Sequence, residues 1–426
     1  MDTVQRHLSH TFQSHTFQRF FDSEKSGGIL LLICTTISLL MANSSIGAGY
    51  MSAWQTEVGG LSLEHWVNDA LMGIFFLLIG LELERELYSG ELSNFRNALL
   101  PIIAAVGGMA IPAVIHFSLN WGAPTQAGIG IPMATDIAFA LGVLAMLGNR
   151  IPPSLKVFVV AFAVIDDLGT IVIIATFYTA EVSVWFLAGA VAVWILLLML
   201  NRLFRIMSLA PYMCGGAVMW LLMLKSGVHA TMAGVMLAFA VPFSAQDDDE
   251  ASPSHRLEHV LHKPVAFIIL PIFALANTGV LVGADWLYGL TSPNSISLIA
   301  GLILGKPLGV MCLCVVAVTS GLCRLPVGLH WRHIVGAGML GGIGFTMSIF
   351  ITNLAFAGNA KIISASKMAI LLASLTAGAI EFLWLKLLSR PEGMDGNMDT
   401  MDSGLIGNVR LCNGNRLDCH PLLRVR

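Results

Sequence analysis

An apolar run from Val157 to Tyr178 carries no charge except two adjacent aspartates, Asp166 and Asp167, near its middle. A stretch of about 20 such residues is what an α-helix needs to cross the hydrocarbon core of a bilayer. Carboxylates at its midpoint lie where ionised side chains are most costly to place, and such residues mark transport pathways. Two further ionisable residues, Asp136 and Lys306, sit at comparable depth in other apolar segments.

The rest of the chain repeats the pattern. Its 426 residues are 56% hydrophobic and 12% charged, with a mean hydropathy of +0.78. Soluble domains carry about 25% charged residues. The chain therefore reads as an all-α polytopic membrane protein. Polar punctuation separates about twelve apolar segments by the bilayer window: 27–43, 66–84, 98–119, 127–147, 155–178, 184–201, 209–224, 228–243, 260–282, 295–320, 333–355 and 363–388. Residues 1–26 read as a cytoplasmic segment that lacks the short apolar core of a cleavable signal. Residues 27–390 form the membrane domain, and the Gly-, Asn- and Asp-rich 391–426 tail reads as disordered. The net charge of −3 is spread along the chain and points to no nucleic-acid partner.

Positive charge orients the spans. With the N-terminus in the cytoplasm, nearly all of the 23 Lys and Arg fall in cytoplasmic stretches. The opposite side receives Lys225, Lys361 and Lys367, and Lys306 lies within a helix. The bias favours an even number of spans with both ends inside. Between the first two spans, residues 43–65 are rich in glycine and nearly uncharged. They are long enough for a small hairpin, whose exposed edge would suit a homodimer contact, or for an irregular loop.

On an α-helix Asp166 and Asp167 point about 100° apart, so both can face a cavity but not one narrow groove. Four unpaired charges at mid-depth would cost roughly 10–14 kcal/mol on the insertion scale. They must pair, hydrate or give up charge, and close carboxylates titrate as a coupled unit. A purely structural Asp–Lys bridge would leave the second and third acids unexplained. The backbone nearby is unusual as well. Gly128, Gly130 and Pro132 precede Asp136 inside one span, and Gly336, Gly338, Gly341, Gly342 and Gly344 precede Phe345 inside another. Glycines alone can serve close packing. Two interrupted helices, one in each half, indicate a transporter built from repeats with a site at their crossing. There Asp136 is suited to offset positive helix ends and Lys306 negative ones.

These segments resemble the NhaA family of bacterial sodium/proton antiporters, a standard example of inverted-repeat transporters. The resemblance rests on the strings 134–142 (ATDIAFALG), 165–169 (IDDLG), 225–231 (KSGVHAT), 256–262 (RLEHVLH), 305–309 (GKPLG) and 342–348 (GIGFTMS), which occur in order. It implies twelve helices with inverted repeats of segments three to five and ten to twelve. It also implies electrogenic exchange of Na⁺ or Li⁺ for more than one H⁺, in a bacterial inner membrane. Asp166 and Asp167 would carry cation and protons. Asp136 and Lys306 would support the crossed helices, Lys306 also pairing and exchanging a proton with Asp166.

The chemistry agrees with such a role. Na⁺ prefers oxygen, and two carboxylates, a hydroxyl such as Thr135 and freed backbone carbonyls would hold it. Protons compete for the same carboxylates. Glu82, Arg85 and Glu86 share a helix face, and His255, His259 and His262 share another with Glu258 between them. With His229 they are candidates for pH sensing, because histidine titrates in the physiological range. The competing readings are a solvated helix end, or a zinc site from the three histidines of 255–262. No cofactor is called for: the cysteines show no CxxC spacing, and Gly301–Lys306 lacks the spacing of a phosphate loop. A cation channel suits a deep acid pair with a lysine less well than a binding site does. A membrane enzyme using Asp166-Asp167 for a metal–diphosphate would need further acids at helical spacing.

Overall fold

The computed structural model describes residues 26–148, 151–179, 182–244, 252–283 and 286–388. The N-terminal segment before Ser26 and the 391–426 tail lie outside them. In hydrocarbon only internal hydrogen bonding satisfies the backbone, so each long apolar run winds into a helix. The chain begins with α1 (Ser26–Ala42) and α2 (Gly47–Trp54), bent 117° from it. A hairpin of β1 (Glu57–Val58) and β2 (Leu61–Ser62) follows, pairing Glu57 with Ser62 and Val58 with Leu61. Its turn residues, Gly59 and Gly60, have φ of 65° and 87°, the two positive values that a two-residue type I′ turn requires. The 43–65 segment is thus a short helix and a hairpin.

The next helices are α3 (Leu63–Tyr88) and α4 (Phe95–Leu119). A 3₁₀ stretch, Pro124–Met133, leads to α5 (Ile137–Leu147) and α6 (Pro153–Phe177). Then come α7 (Val184–Arg202), α8 (Leu209–Ser226), α9 (Met232–Ala238) and α10 (Pro253–Asn277). The last part holds α11 (Trp286–Leu290), α12 (Pro293–Thr319), α13 (Trp331–Gly341), α14 (Phe345–Ala355) and α15 (Ala360–Leu388). Among the described residues nine helices are long and apolar enough to cross a bilayer, and two bent pairs raise the number to eleven. The segment expected at 228–243 is only partly helical. It contains only the seven residues of α9, about 10 Å of rise, packed with α3, α7 and α8 in one apolar cluster. Turns at either end shorten the helix, yet the run follows α7 from end to end, with the Ser226 carbonyl accepting from the Ser183 N–H at 2.8 Å and the Ala240 carbonyl from Asn201 Nδ2 at 3.1 Å.

Both expected interruptions are present. In the first span the chain is 3₁₀ to Met133, extended at Ala134–Asp136, and α-helical from Ile137. A ten-residue 3₁₀ stretch is long for a conformation with poor hydrogen-bond geometry. Tyr178, at the end of α6, supports it: its Oη accepts from the Gly130 N–H (3.0 Å) and donates to the Ala127 carbonyl (2.8 Å). In the second span α13 and α14 meet at 44°. A π-turn, Gly301–Gly305, occurs in α12 just before Lys306. Pro307 cannot donate to a carbonyl four residues back, and the widened turn accommodates it. Beside the crossing α4 and α12 approach so closely that a Cβ on Gly107 would strike the Gly309 carbonyl, and the reverse. Small residues permit such contact between membrane helices.

Candidate ion and proton site

The two interruptions meet through hydrogen bonds between their loosened backbones. The Asp136 N–H donates to the Ile343 carbonyl at 2.6 Å, and Ser348 Oγ donates to the Ile131 carbonyl at 2.8 Å. Asp136 is the N-cap of α5: Oδ1 accepts from the Phe139 N–H at 3.0 Å. Its other oxygen, Oδ2, accepts from the N–H (3.0 Å) and hydroxyl (2.5 Å) of Thr346 at the start of α14. One carboxylate therefore faces the positive ends of two helices, where anions are favoured.

Lys306 is fully buried. Its Nζ donates to Asp166 Oδ2 at 2.9 Å, to Oδ1 at 3.0 Å and to Thr135 Oγ1 at 2.9 Å. The Thr135 hydroxyl donates in turn to the Gly341 carbonyl at 2.9 Å, at the C-terminal end of α13. Lys306 thus reaches a negative helix end only through Thr135, and its principal partner is Asp166. Asp167, on the next side chain of α6, is 2% exposed, and neither carboxylate oxygen has a hydrogen-bond partner. The nearby Thr170 hydroxyl is likewise unpartnered. Asp136, Thr135, Asp166, Asp167 and Lys306 therefore converge where the broken spans cross.

A cavity of ≈ 50 Å³ lies between α3, α5, α6 and α10, room for a few waters. Glu82, Arg85 and His262 line one end, and Ala138 and Val164, close in sequence to Asp136 and Asp167, line the other. Arg85 Nη1 donates to Glu258 Oε1 at 2.6 Å, and its Nη2 lies 3.8 Å from Glu86 Oε1. Of the candidate pH-sensing residues, Glu82, Arg85, Glu86, Glu258 and His262 gather at this mouth. His259 is exposed and His255 half-buried at the start of α10. His229 lies elsewhere, donating from Nε2 to the Tyr178 carbonyl at 2.7 Å.

Comparison with known proteins decides the family. The profile described as Na+/H+ antiporter 1 matches residues 18–385. The Na(+)/H(+) antiporter NhaA of Dechloromonas aromatica is 67% identical over 377 residues, which cover 88% of this chain and 97% of that one. Its namesake from Cytophaga hutchinsonii is 58% identical, covering 87% and 95%, and that from Escherichia coli O1:K1 / APEC is 46% identical, covering 88% and 98%. The chain belongs to the Na⁺/H⁺ antiporter 1 family. Every residue of the crossing lies inside the part that matches this antiporter family.

Three polar residues of this antiporter-family chain escaped the sequence reading. Thr346 completes the seat of Asp136, and its position directly after the second break was the available signal. Glu84 is 5% exposed, and its Oε2 accepts from Ser254 Oγ at 3.3 Å; it lies off the face shared by Glu82, Arg85 and Glu86. Glu381 is a lone acid inside the last apolar run, so the criterion that singles out Asp166 applies to it as well. Conversely, Lys367, placed in a loop by the charge tally, lies within α15 at 8% exposure. Asp69, a further acid in the second apolar segment, pairs with His65 one helical turn away at 2.8 Å.

Proposed function

We propose that the protein exports Na⁺, or Li⁺, in exchange for a larger number of protons, the two cargoes competing for Asp166 and Asp167 under alternating access. The observation that carries this reading is Asp167, a buried carboxylate with neither oxygen partnered, beside an aspartate already paired with a lysine. Such a carboxylate is tolerable in the membrane interior when it holds a proton or a cation. Those two occupants exclude one another. The arriving Na⁺ takes oxygen ligands from Asp167, from Asp166 as it parts from Lys306, and from Thr135 and carbonyls freed at the breaks. Lys306, released from its partner, then gives up a proton and regains it with the ion pair. Moving more than one H⁺ inward per cation lets the membrane potential drive export, at about 2.3 kcal/mol per net charge per 100 mV. The Na⁺/H⁺ antiporter names of the relatives support this exchange.

The excess of positive charge on one side supports a bacterial inner-membrane location with both termini cytoplasmic. The cavity beside Glu82, Arg85 and His262 then opens the site to the cytoplasm. In this reading Glu82, Arg85, Glu86, Glu258 and His262 form the centre through which pH regulates access, with His255, His259 and His229 as outlying members. The β1–β2 edge is exposed and supports pairing of two copies. The test is Asp167→Asn and Asp166→Asn in everted vesicles. Both variants insert, Asp166→Asn with lowered stability because it leaves Lys306 unpaired, and both lose Na⁺-driven proton flux. Wild-type exchange in either refutes the carrier role.

A further inference from the structure

Among the described residues, two carboxylates have both oxygens buried and without a hydrogen-bond partner: Asp167 and Glu381. The first belongs to the site above. Glu381, at 0% exposure, belongs to no site yet assigned.

Its position follows from its neighbours on α15. Residues three, four and seven apart share a helix face, so Glu381 lies with Ser374, Ala377, Gly378 and Leu385. Ser374 Oγ accepts from the Phe345 N–H at 3.1 Å, at the second break. Ala377 lies against Gly342, Gly378 against Phe139 of α5, and Leu385 against Gly336 of α13. The carboxyl group therefore occupies the wedge between α15 and the half-helices α5 and α13, roughly 10 Å along α15 from the break. The charged and titratable groups on the surrounding elements are Arg332 and His333 of α13, Asp136 at the head of α5, Lys306, Cys312 and Cys314 in α12, and Tyr288 of α11. On α15 itself they are Lys361, Lys367 and Lys386. None of them hydrogen-bonds to Glu381 or forms an ion pair with it. A carboxylate ion there would carry its desolvation penalty uncompensated, whereas a carboxylic acid would not. The wedge also offers no set of oxygen ligands for a metal ion, since the nearest hydroxyl on that face, Ser374, is two turns away.

We propose that Glu381 is a second proton-binding acid, separate from the Asp166–Asp167 pair and loaded with its proton in this conformation. The O–H bond breaks, with the proton passing to water, when α5 and α13 part from α15 far enough to hydrate the wedge. That parting rests on the alternating-access reading, whereas the presence of the proton does not. The two half-helices that hold the cargo site would thereby also control a proton that sodium cannot displace.

Infrared difference spectroscopy on the full-length protein in lipid tests this. Subtracting the Glu381→Gln spectrum from wild type should give the carbonyl stretch of a protonated carboxylic acid at neutral pH. The band should be unchanged by saturating Na⁺ and should move in Glu381→Asp, which keeps the acid where the glutamine variant folds poorly. The corresponding Asp167→Asn difference should show an acid band that Na⁺ discharges. If that second band ignores Na⁺, the exchange reading fails and the Glu381 assignment stands. An ionised carboxylate signature for Glu381, or a band lost on adding Na⁺, overturns the proposal. So does a pH profile of exchange in Glu381→Gln that superimposes on wild type, because release within the cycle requires a displaced profile.

Discussion

Removing the amine of Lys306 tests the energetics of the crossing most directly. Its Nζ lies 2.9 Å from Asp166 Oδ2, with both side chains at 0% exposure. At that separation and an effective dielectric of about 20, the attraction is roughly 6 kcal/mol. Much of it offsets the cost of bringing both ions out of water. Deleting one partner of a buried pair typically costs about 3–5 kcal/mol, because the other charge remains and is now alone, whereas replacing both by apolar or neutral groups is often nearly neutral. Lys306→Met should therefore destabilise the purified protein by about 3–5 kcal/mol, read as reversible unfolding in detergent. The Asp166→Asn/Lys306→Met double variant should recover most of that loss while remaining inactive. Lys306→Arg should retain more stability than Lys306→Met, since it keeps the charge. If Lys306→Met unfolds within about 1 kcal/mol of wild type, or if the double variant is as unstable as the single one, the pair does not hold the crossing as described.

Three further outcomes follow from other parts of the structure. Asp136→Ala removes the acceptor of two helix N-termini; at about 0.5–2 kcal/mol per cap the loss should reach roughly 1–4 kcal/mol, and Asp136→Asn should lose less because its amide oxygen still accepts. Thermal unfolding at fixed pH separates the two. Gly309→Ala puts a methyl group into the Gly107 carbonyl and should cost about 1–3 kcal/mol, the usual penalty of overpacking, with Gly107→Ala equivalent; unchanged melting of both would show that the helices slide apart freely. Glu258→Gln removes the nearer carboxylate partner of Arg85 and leaves Glu86 at 3.8 Å; the Arg85 side chain is one-third exposed, so stability should change by less than about 1 kcal/mol. Its exchange activity in vesicles should nonetheless show a displaced pH profile, and an unmoved profile counts against regulation at this mouth.

Much of the crossing was legible in the sequence because bilayer placement is harsh. An acid or amine within an apolar run must find a partner or a function, so Asp136, Asp166, Asp167 and Lys306 were conspicuous, as were the glycines and proline that break the helices. The partner assignments were less visible. Nothing in the spacing says that Asp136 caps both half-helices, or that Thr135 stands between Lys306 and the end of α13; these depend on how two distant breaks interlock. A short helix such as α9 has the same composition as a long one, and only its turns distinguish it. His259 and His262 share a face by periodicity, yet α10 packs so that one lines the cavity and the other is exposed. Lys361 shows the limit of counting charges by loop, since α15 starts at Ala360, before its apolar stretch, and takes in a nominal loop residue.

The contact between Gly107 and Gly309 has a mechanical consequence. Where two helices meet main chain against main chain, no side chain remains to change rotamer, and neither rod can roll or slip on its neighbour without collision. α4 and α12 are therefore fastened into a stiff spine running past the ion seat. A change of access cannot be achieved by loosening that spine; it must carry the spine as one body, and the bending must be taken up at the softer joints of the two broken spans.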